Sequence, residues 1–130
     1  MSVIADASVL VAALIDSGPQ GEWAEEVLAS GELQAPALVH IEVAGTLRRL
    51  ERARKLTTAE ADAAYEDLLQ LNLEPLPFEP FAPRIWELRR TITSYDAWYV
   101  AAAEALKLPL ATLDTRLSRA SGPRCRFLTP

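Results

Sequence analysis

The chain has 130 residues, half of them hydrophobic, and a net charge of −5. One domain is expected, spanning residues 1–130 and burying roughly 65–70% of the surface that the unfolded chain exposes. A single cysteine, Cys125, excludes an internal disulfide and suits a reducing cytoplasm. The N-terminal apolar run Val9–Ile15 is far shorter than the roughly 20 residues that span a bilayer, so no export signal or membrane anchor is expected. Charge is spread unevenly: residues 1–47 hold seven acids and no Lys or Arg, while all 13 basic residues lie in 48–130. Overall acidity argues against loose coating of nucleic acid, but it permits a nucleic-acid substrate held by metal ions and a local basic patch.

Taken in order, Ser2–Ala5 reads as a short strand ending in Asp6, and Ala7–Ile15 as a helix. Asp16-Ser17-Gly18-Pro19 is a break, and Pro19 suits the first position of a helix running through Trp23, Val27 and Leu28 to Gly31. Leu33–Leu38 is a short strand and turn. Val39–Arg54 is a helix with a Val39, Val43, Leu47, Leu50 stripe. Thr57 or Thr58 caps the next helix, which turns Ala61, Ala64, Tyr65, Leu68 and Leu69 inward. Leu73–Leu76 is a strand, and Pro75, Pro77, Pro80 and Pro83 stiffen the connection after it. Ile85–Arg90 is a short helix. The helix from Ser94 to Leu106 follows, with Ala97, Trp98, Ala101, Ala102, Ala105 and Leu106 as its apolar stripe. Leu110–Leu113 is a strand ending in Asp114, Thr115–Ser118 a helical turn and Arg126–Leu128 a last strand. Strands alternating with helices imply an α/β fold: a mostly parallel sheet of four to five strands, flanked by helices on both faces.

In such a sheet, ligands bind beyond the carboxyl ends of the strands. Asp6 and Asp114 end strands there, and Asp96 opens a helix on the same side. Glu42 lies one turn into its helix, on a face shared with Gly45, Thr46 and Arg49. The simpler reading of each aspartate alone is a helix cap, worth about 0.5–2 kcal/mol. Together, four carboxylates in one crevice would repel strongly, at about 4 kcal/mol for charges 4 Å apart at an effective dielectric of 20. A cation between them relieves that cost. No His or Cys accompanies them, and an all-oxygen set selects Mg²⁺ or Mn²⁺. Carboxylate-held Mg²⁺ suits phosphodiester hydrolysis.

Asp6-Ala7-Ser8 after a short N-terminal strand, Glu42 in the third-helix region, Asp96 opening the Tyr99-Val100-Ala101-Ala102-Ala103 helix, and Thr112-Leu113-Asp114 near the end form an ordered set. It resembles the PIN domain over essentially the whole chain, and in size and layout the small VapC toxins of bacterial toxin–antitoxin pairs. The resemblance implies a Mg²⁺- or Mn²⁺-dependent endoribonuclease that inhibits translation, usually a homodimer, neutralised by a cognate antitoxin. It places Asp6, Glu42, Asp96 and Asp114 as the acidic catalytic and metal positions, with Ser8 and Thr112 as accessory hydroxyls. Family members often carry a further acid shortly after the fourth; here Arg116 and Leu117 follow Thr115.

Arg48, Arg49, Arg52, Arg54 and Lys55 cluster on the Glu42 helix. Solvated cations are favoured at a helix C-terminus, and Arg49, on Glu42's face, is the candidate contact to RNA phosphate. The helices Val9–Leu14 and Trp23–Leu28 carry surplus apolar surface, which an antitoxin segment or a second subunit would cover. The alternative function is a non-catalytic PIN-like module that binds RNA or protein; it would tolerate loss of the acids, and all four are present.

Overall fold

Five strands build the sheet in the computed structural model, which describes residues 2–130. They are β1 (Val3–Ala5), β2 (Leu33–Pro36), β3 (Leu73–Leu76), β4 (Leu110–Ala111) and β5 (Phe127–Leu128). Their order is β3-β2-β1-β4-β5, and all four pairings are parallel. Val3, Ile4 and Ala5 have no exposed surface. Successive side chains on a strand point to opposite faces, so both faces of β1 are covered, as a parallel sheet requires. The edge strand β3 exposes Glu74 and Pro75, and an edge can spare the N–H that proline lacks.

The chain winds outward from β1 through β2 to β3, then returns to the other side of β1 for β4 and β5. The point where the winding reverses therefore lies between β1 and β4. Beyond their carboxyl ends is the crevice in which α/β sheets bind ligands.

Helices α1 (Ala7–Ile15), α2 (Pro19–Ala29), α3 (Val39–Arg52) and α4 (Thr58–Gln70) pack on one another. Helices α5 (Ala82–Glu87) and α6 (Ser94–Leu106) pack together, with α6 against β1, β2 and β4. The short α7 (Thr115–Arg119) follows β4. Thr57 caps α4 in a full capping box with Glu60. A 3₁₀ turn, Glu79–Phe81, precedes α5. That helix starts earlier than the Ile85 expected from sequence, because Pro83 is tolerated in its first turn.

Two inward assignments are corrected. Tyr65 is 46% exposed and Leu69 is 59% exposed. Helix α4 is bound only along the stripe Ala61, Ala64 and Leu68, so neighbours off that stripe face water. On α6, Ala105 and Leu106 are exposed, whereas every residue from Ala97 to Ala103 is buried. The helix is enclosed on all sides for two turns and then emerges, ending at Lys107 in the left-handed region with φ 55°. The surplus apolar area expected on α1 and α2 is half-buried at Val11, Leu14, Ile15, Trp23 and Leu28. The more exposed large apolar side chains lie elsewhere, among them Leu38, Ile41, Phe78 and Trp86. Among the described residues no helix is long and apolar enough to cross a membrane.

Gly21 sets the close approach of α2 to the end of α1. A Cβ there would fall 1.8 Å from the backbone oxygen of Asp16. Backbone does not yield as a side chain tip does, so Gly21→Ala is expected to destabilise the fold by about 2 kcal/mol or more, read as a lowered melting temperature. An unchanged transition would contradict this packing.

Candidate active site

Asp6 follows β1 directly and Thr112 follows β4, so adjacent parallel strands deliver both to the crevice. Both carboxylate oxygens of Asp6 are engaged. Oδ1 accepts from the Ser8 hydroxyl and, at 3.2 Å, from Val9 N–H; Oδ2 accepts from the Thr112 hydroxyl. The pattern extends outward: Leu113 N–H donates to Ser8 Oγ at 3.0 Å, and Asp114 N–H to Thr112 Oγ1 at 3.0 Å. A carboxylate offers about four lone-pair sites. Three are filled here, and the one that remains is on Oδ2. Asp6 is thus fixed in orientation and still has one site for an outside ligand.

Glu42 stands in the first turn of α3. Its Oε1 accepts from the hydroxyl of Tyr99 at 2.7 Å. Tyr99 lies one turn after Asp96 on α6 and is buried, so Glu42 is anchored to the same helix that carries Asp96. Asp114 caps α7, its Oδ1 accepting from Arg116 N–H at 2.9 Å and Leu117 N–H at 3.3 Å, which leaves Oδ2 outside the cap. Asp96 differs from the cap expected of it. The cap of α6 is Thr93, whose Oγ1 accepts the Asp96 N–H at 3.2 Å. The carboxylate of Asp96 is thereby spared that task.

The electrostatics tie the four together. Burial raises the Asp6 carboxyl above its ordinary range, and Asp96's charge adds to this; the bonds from Ser8, Thr112 and Val9 oppose it. Burial likewise raises Glu42, with Asp96 and Asp6 adding and Tyr99 opposing. Asp96 is raised by burial first and by Asp114 second, with Thr93 and Arg116 opposing. Asp96 is the centre of the group, interacting with each of the other three. Burial and the charge of Glu42 also push the Tyr99 phenol far up, so it remains a hydrogen-bond donor at any ordinary pH.

These carboxylates fit a hard divalent cation: the donors are all oxygen, and three of the four groups carry charge at a cost that a cation would lower. Among the described residues no three Asp, Glu, His or Cys side chains are drawn tightly enough together to enclose an ion by themselves. A hard cation held by so open a set would keep part of its water shell.

Among the described residues no ion pair joins Arg49 to the four acids; its guanidinium donates to Thr46 Oγ1 at 2.9 Å. A different basic group borders them. A cleft of about 510 Å³ beside Asp96 and Asp114 is also lined by Arg89, Arg90, Thr93 and Arg116. Sequence reasoning did not single out Tyr99 for this role, nor Arg89 and Arg90. The Tyr–Asp–Ala–Trp–Tyr spacing held a signal for the first, since Tyr99 is i+3 from Asp96 and shares its helix face.

The family describing the PIN domain matches residues 3–123. A VapC ribonuclease of Mycobacterium bovis is 37% identical over 123 residues, which is 95% of this chain and 94% of that protein. Ribonuclease VapC1 of Mycobacterium tuberculosis is 36% identical over 125 residues, 95% of this chain and 94% of its own length. Among solved structures, VapBC2 of Rickettsia felis, crystallised on a DNA fragment from its promoter, superposes with a TM-score of 0.66 at 16% identity, covering 99% of this chain and 98% of that one.

Neutralising Asp96 removes both the cost of burying its charge and the repulsion from Asp114. Asp96→Asn is therefore expected to stabilise the metal-free protein at pH 7, because the amide carries no charge to desolvate or to repel. A carboxyl whose folded pKa is raised contributes stability below the ordinary value of 3.8 and loses it as pH rises through the raised value. The gap between variant and native protein should thus close on acidification. Thermal denaturation across pH measures it, and a variant less stable at pH 7 contradicts the assignment.

Proposed function

We propose, starting from the fact that this chain belongs to the PIN-domain family, that its cleavage of RNA depends on a divalent cation held by Asp6, Glu42, Asp96 and Asp114. The chain is an endoribonuclease of the VapC toxin type, and the relatives with which it shares 36–37% identity are VapC ribonucleases. The observation that supports the cation site is electrostatic: Asp96 lies near enough to Asp6, Glu42 and Asp114 for charge to act between it and each of them, beside the reversal point of the sheet.

Each protein group has a task in this reading. Ser8 and Thr112 orient Asp6 and leave one lone pair for the cation. Tyr99 turns Glu42 toward the crevice and lowers the cost of its charge. Asp114 offers the oxygen that its capping bonds leave over. When bound, Mg²⁺ or Mn²⁺ supplies a more acidic water and offsets negative charge on the phosphate. Of the two candidate bases, Asp96 suits proton acceptance better than Asp114. Its carboxylate is not committed to a cap, whereas Oδ1 of Asp114 is.

The partner in this reading is a cognate antitoxin protein, and the toxin acts as a homodimer that inhibits translation in the cytoplasm. Arg49 is proposed to contact the RNA backbone beyond the acids. Its guanidinium donates to Thr46, and Thr46 lines a groove together with Ser8 and Leu113.

The decisive assay is cleavage of structured RNA by purified protein in Mg²⁺ or Mn²⁺ and in EDTA. Cleavage is expected only with the metal, and Asp96→Asn is expected to lose 10²-fold or more. Cleavage that survives chelation, or full activity in the variant, would falsify the cation reading. In the same assay Arg49→Ala should reduce cleavage more than Arg54→Ala; equal effects would remove Arg49 from the substrate path.

A further inference from the structure

The cleft beside Asp96 and Asp114 has a use that the four acids do not supply. We propose that it seats an RNA backbone phosphate next to the one being cleaved, bound by Arg89, Arg90 and Arg116. The proposal rests on the ribonuclease reading above and extends it to a substrate subsite.

Position is the first argument. Two of the cleft's lining residues, Asp96 and Asp114, are themselves site acids. A strand whose reacting linkage lies at the acids leads a neighbouring linkage along this wall. The second argument is charge. The protein carries −5 overall, and its acids repel a polyanion. Three guanidinium groups here counter that locally. Among the described residues neither Arg89 nor Arg90 has an ion-pair partner, and Arg116 meets only Asp114, at 3.9 Å with its side chain 94% exposed. Their charge is therefore available to a ligand.

Preorganisation is the third argument. The Arg89 guanidinium lies 4.4 Å from the ring centroid of Trp86 and donates from one Nη to the Trp86 carbonyl at 2.8 Å. Trp86 is 66% exposed, and stacking under a guanidinium gives this solvated ring a role. A guanidinium has five N–H donors in a rigid fork suited to phosphate, and most of Arg89's remain unused. The wall behind it is also fixed. Arg84 donates to both oxygens of Glu104, at 2.8 and 3.2 Å, and to the Gly122 carbonyl at 2.8 Å. Gly122, at φ 104°, lies so close to Leu88 and Thr91 that a Cβ would come within 3.2 and 3.3 Å of their side chains. Arg84 thereby holds the 120–123 turn against the segment that carries Arg89 and Arg90.

The test uses RNA binding by the Asp96→Asn protein, followed by fluorescence anisotropy of an unstructured 20-nucleotide RNA over a range of KCl concentrations. Arg90→Ala and Arg116→Ala should each weaken binding several-fold and lower the slope of log affinity against log salt by about 0.7, the value for one phosphate contact to a single strand. Arg116→Lys should keep the slope. Arg126→Ala is the charge-matched control, because Arg126 precedes β5 at the opposite end of the sheet. In the native background the cleft substitutions should raise KM with little change in kcat. An equal loss in Arg126→Ala, unchanged slopes in the cleft variants, or no RNA binding at all overturns the subsite. So does a cleft variant that binds RNA normally but loses its protein partner, which would make the cleft a protein-docking surface. Native protein that cleaves RNA while the cleft variants match it refutes the subsite alone. Native protein that fails to cleave RNA refutes the ribonuclease reading beneath it.

Discussion

Everything at the crevice depends on how Asp6 is held. Its two oxygens receive hydroxyls from opposite sides, Ser8 from the first turn of α1 and Thr112 from the end of β4. These bonds fasten the β1–α1 junction to the neighbouring strand at the place where the sheet's winding reverses. Asp6 is also almost wholly buried. A buried carboxylate without partners would be costly, and this one is satisfied in all but one lone pair. Such an arrangement keeps a charge inside the fold while still presenting it to a ligand.

The other acids are placed by consequences of that anchor. Thr112 also accepts the Asp114 N–H, so the bond that orients Asp6 helps to direct the chain into α7. Across the crevice α6 brings Asp96 and Tyr99 on one face, and Tyr99 reaches Glu42 on α3. The run of small residues Ala101–Ala103 lets α6 lie buried against β1, β2 and β4. The helix start, and Asp96 with it, then stands at the strand ends. The fold is thus strained by charge at one spot and stabilised by apolar packing around it, a distribution common where a site must bind rather than merely fold.

Much of this was legible in the sequence because local rules governed it. The strands end in acids that the chain displays in plain order, Asp6 and Asp114, and hydroxyls at Ser8 and Thr112 sit two residues from each. The parallel sheet followed from alternation of apolar runs with helical patterns. What was not legible depended on distant pairings or on how completely an element is enclosed. Tyr99 meets Glu42 across 57 residues, and periodicity offers no view of that distance. The Asp96 residue looked like a cap because it opens a helix, yet Thr93, three residues earlier, does that work. Tyr65, Leu69, Ala105 and Leu106 looked inward because apolar spacing does not reveal where a helix leaves the core. The basic cleft is assembled from the segment that joins α5 to α6 and from the start of α7, with most of α6 and all of β4 between them in the chain. No stretch of sequence announces it.

Metal binding itself is the most direct test of the central claim, that four carboxylates act together as one cation site. Titration of Mn²⁺ into metal-stripped protein by calorimetry reads it without any RNA. The account predicts saturable binding to the native protein, with loss of most of the affinity in Asp6→Ala and Asp96→Asn alike and an intermediate loss in Tyr99→Phe, where Glu42 is released but not removed. Native affinity in Asp96→Asn, or no saturable binding to the native chain, would contradict it.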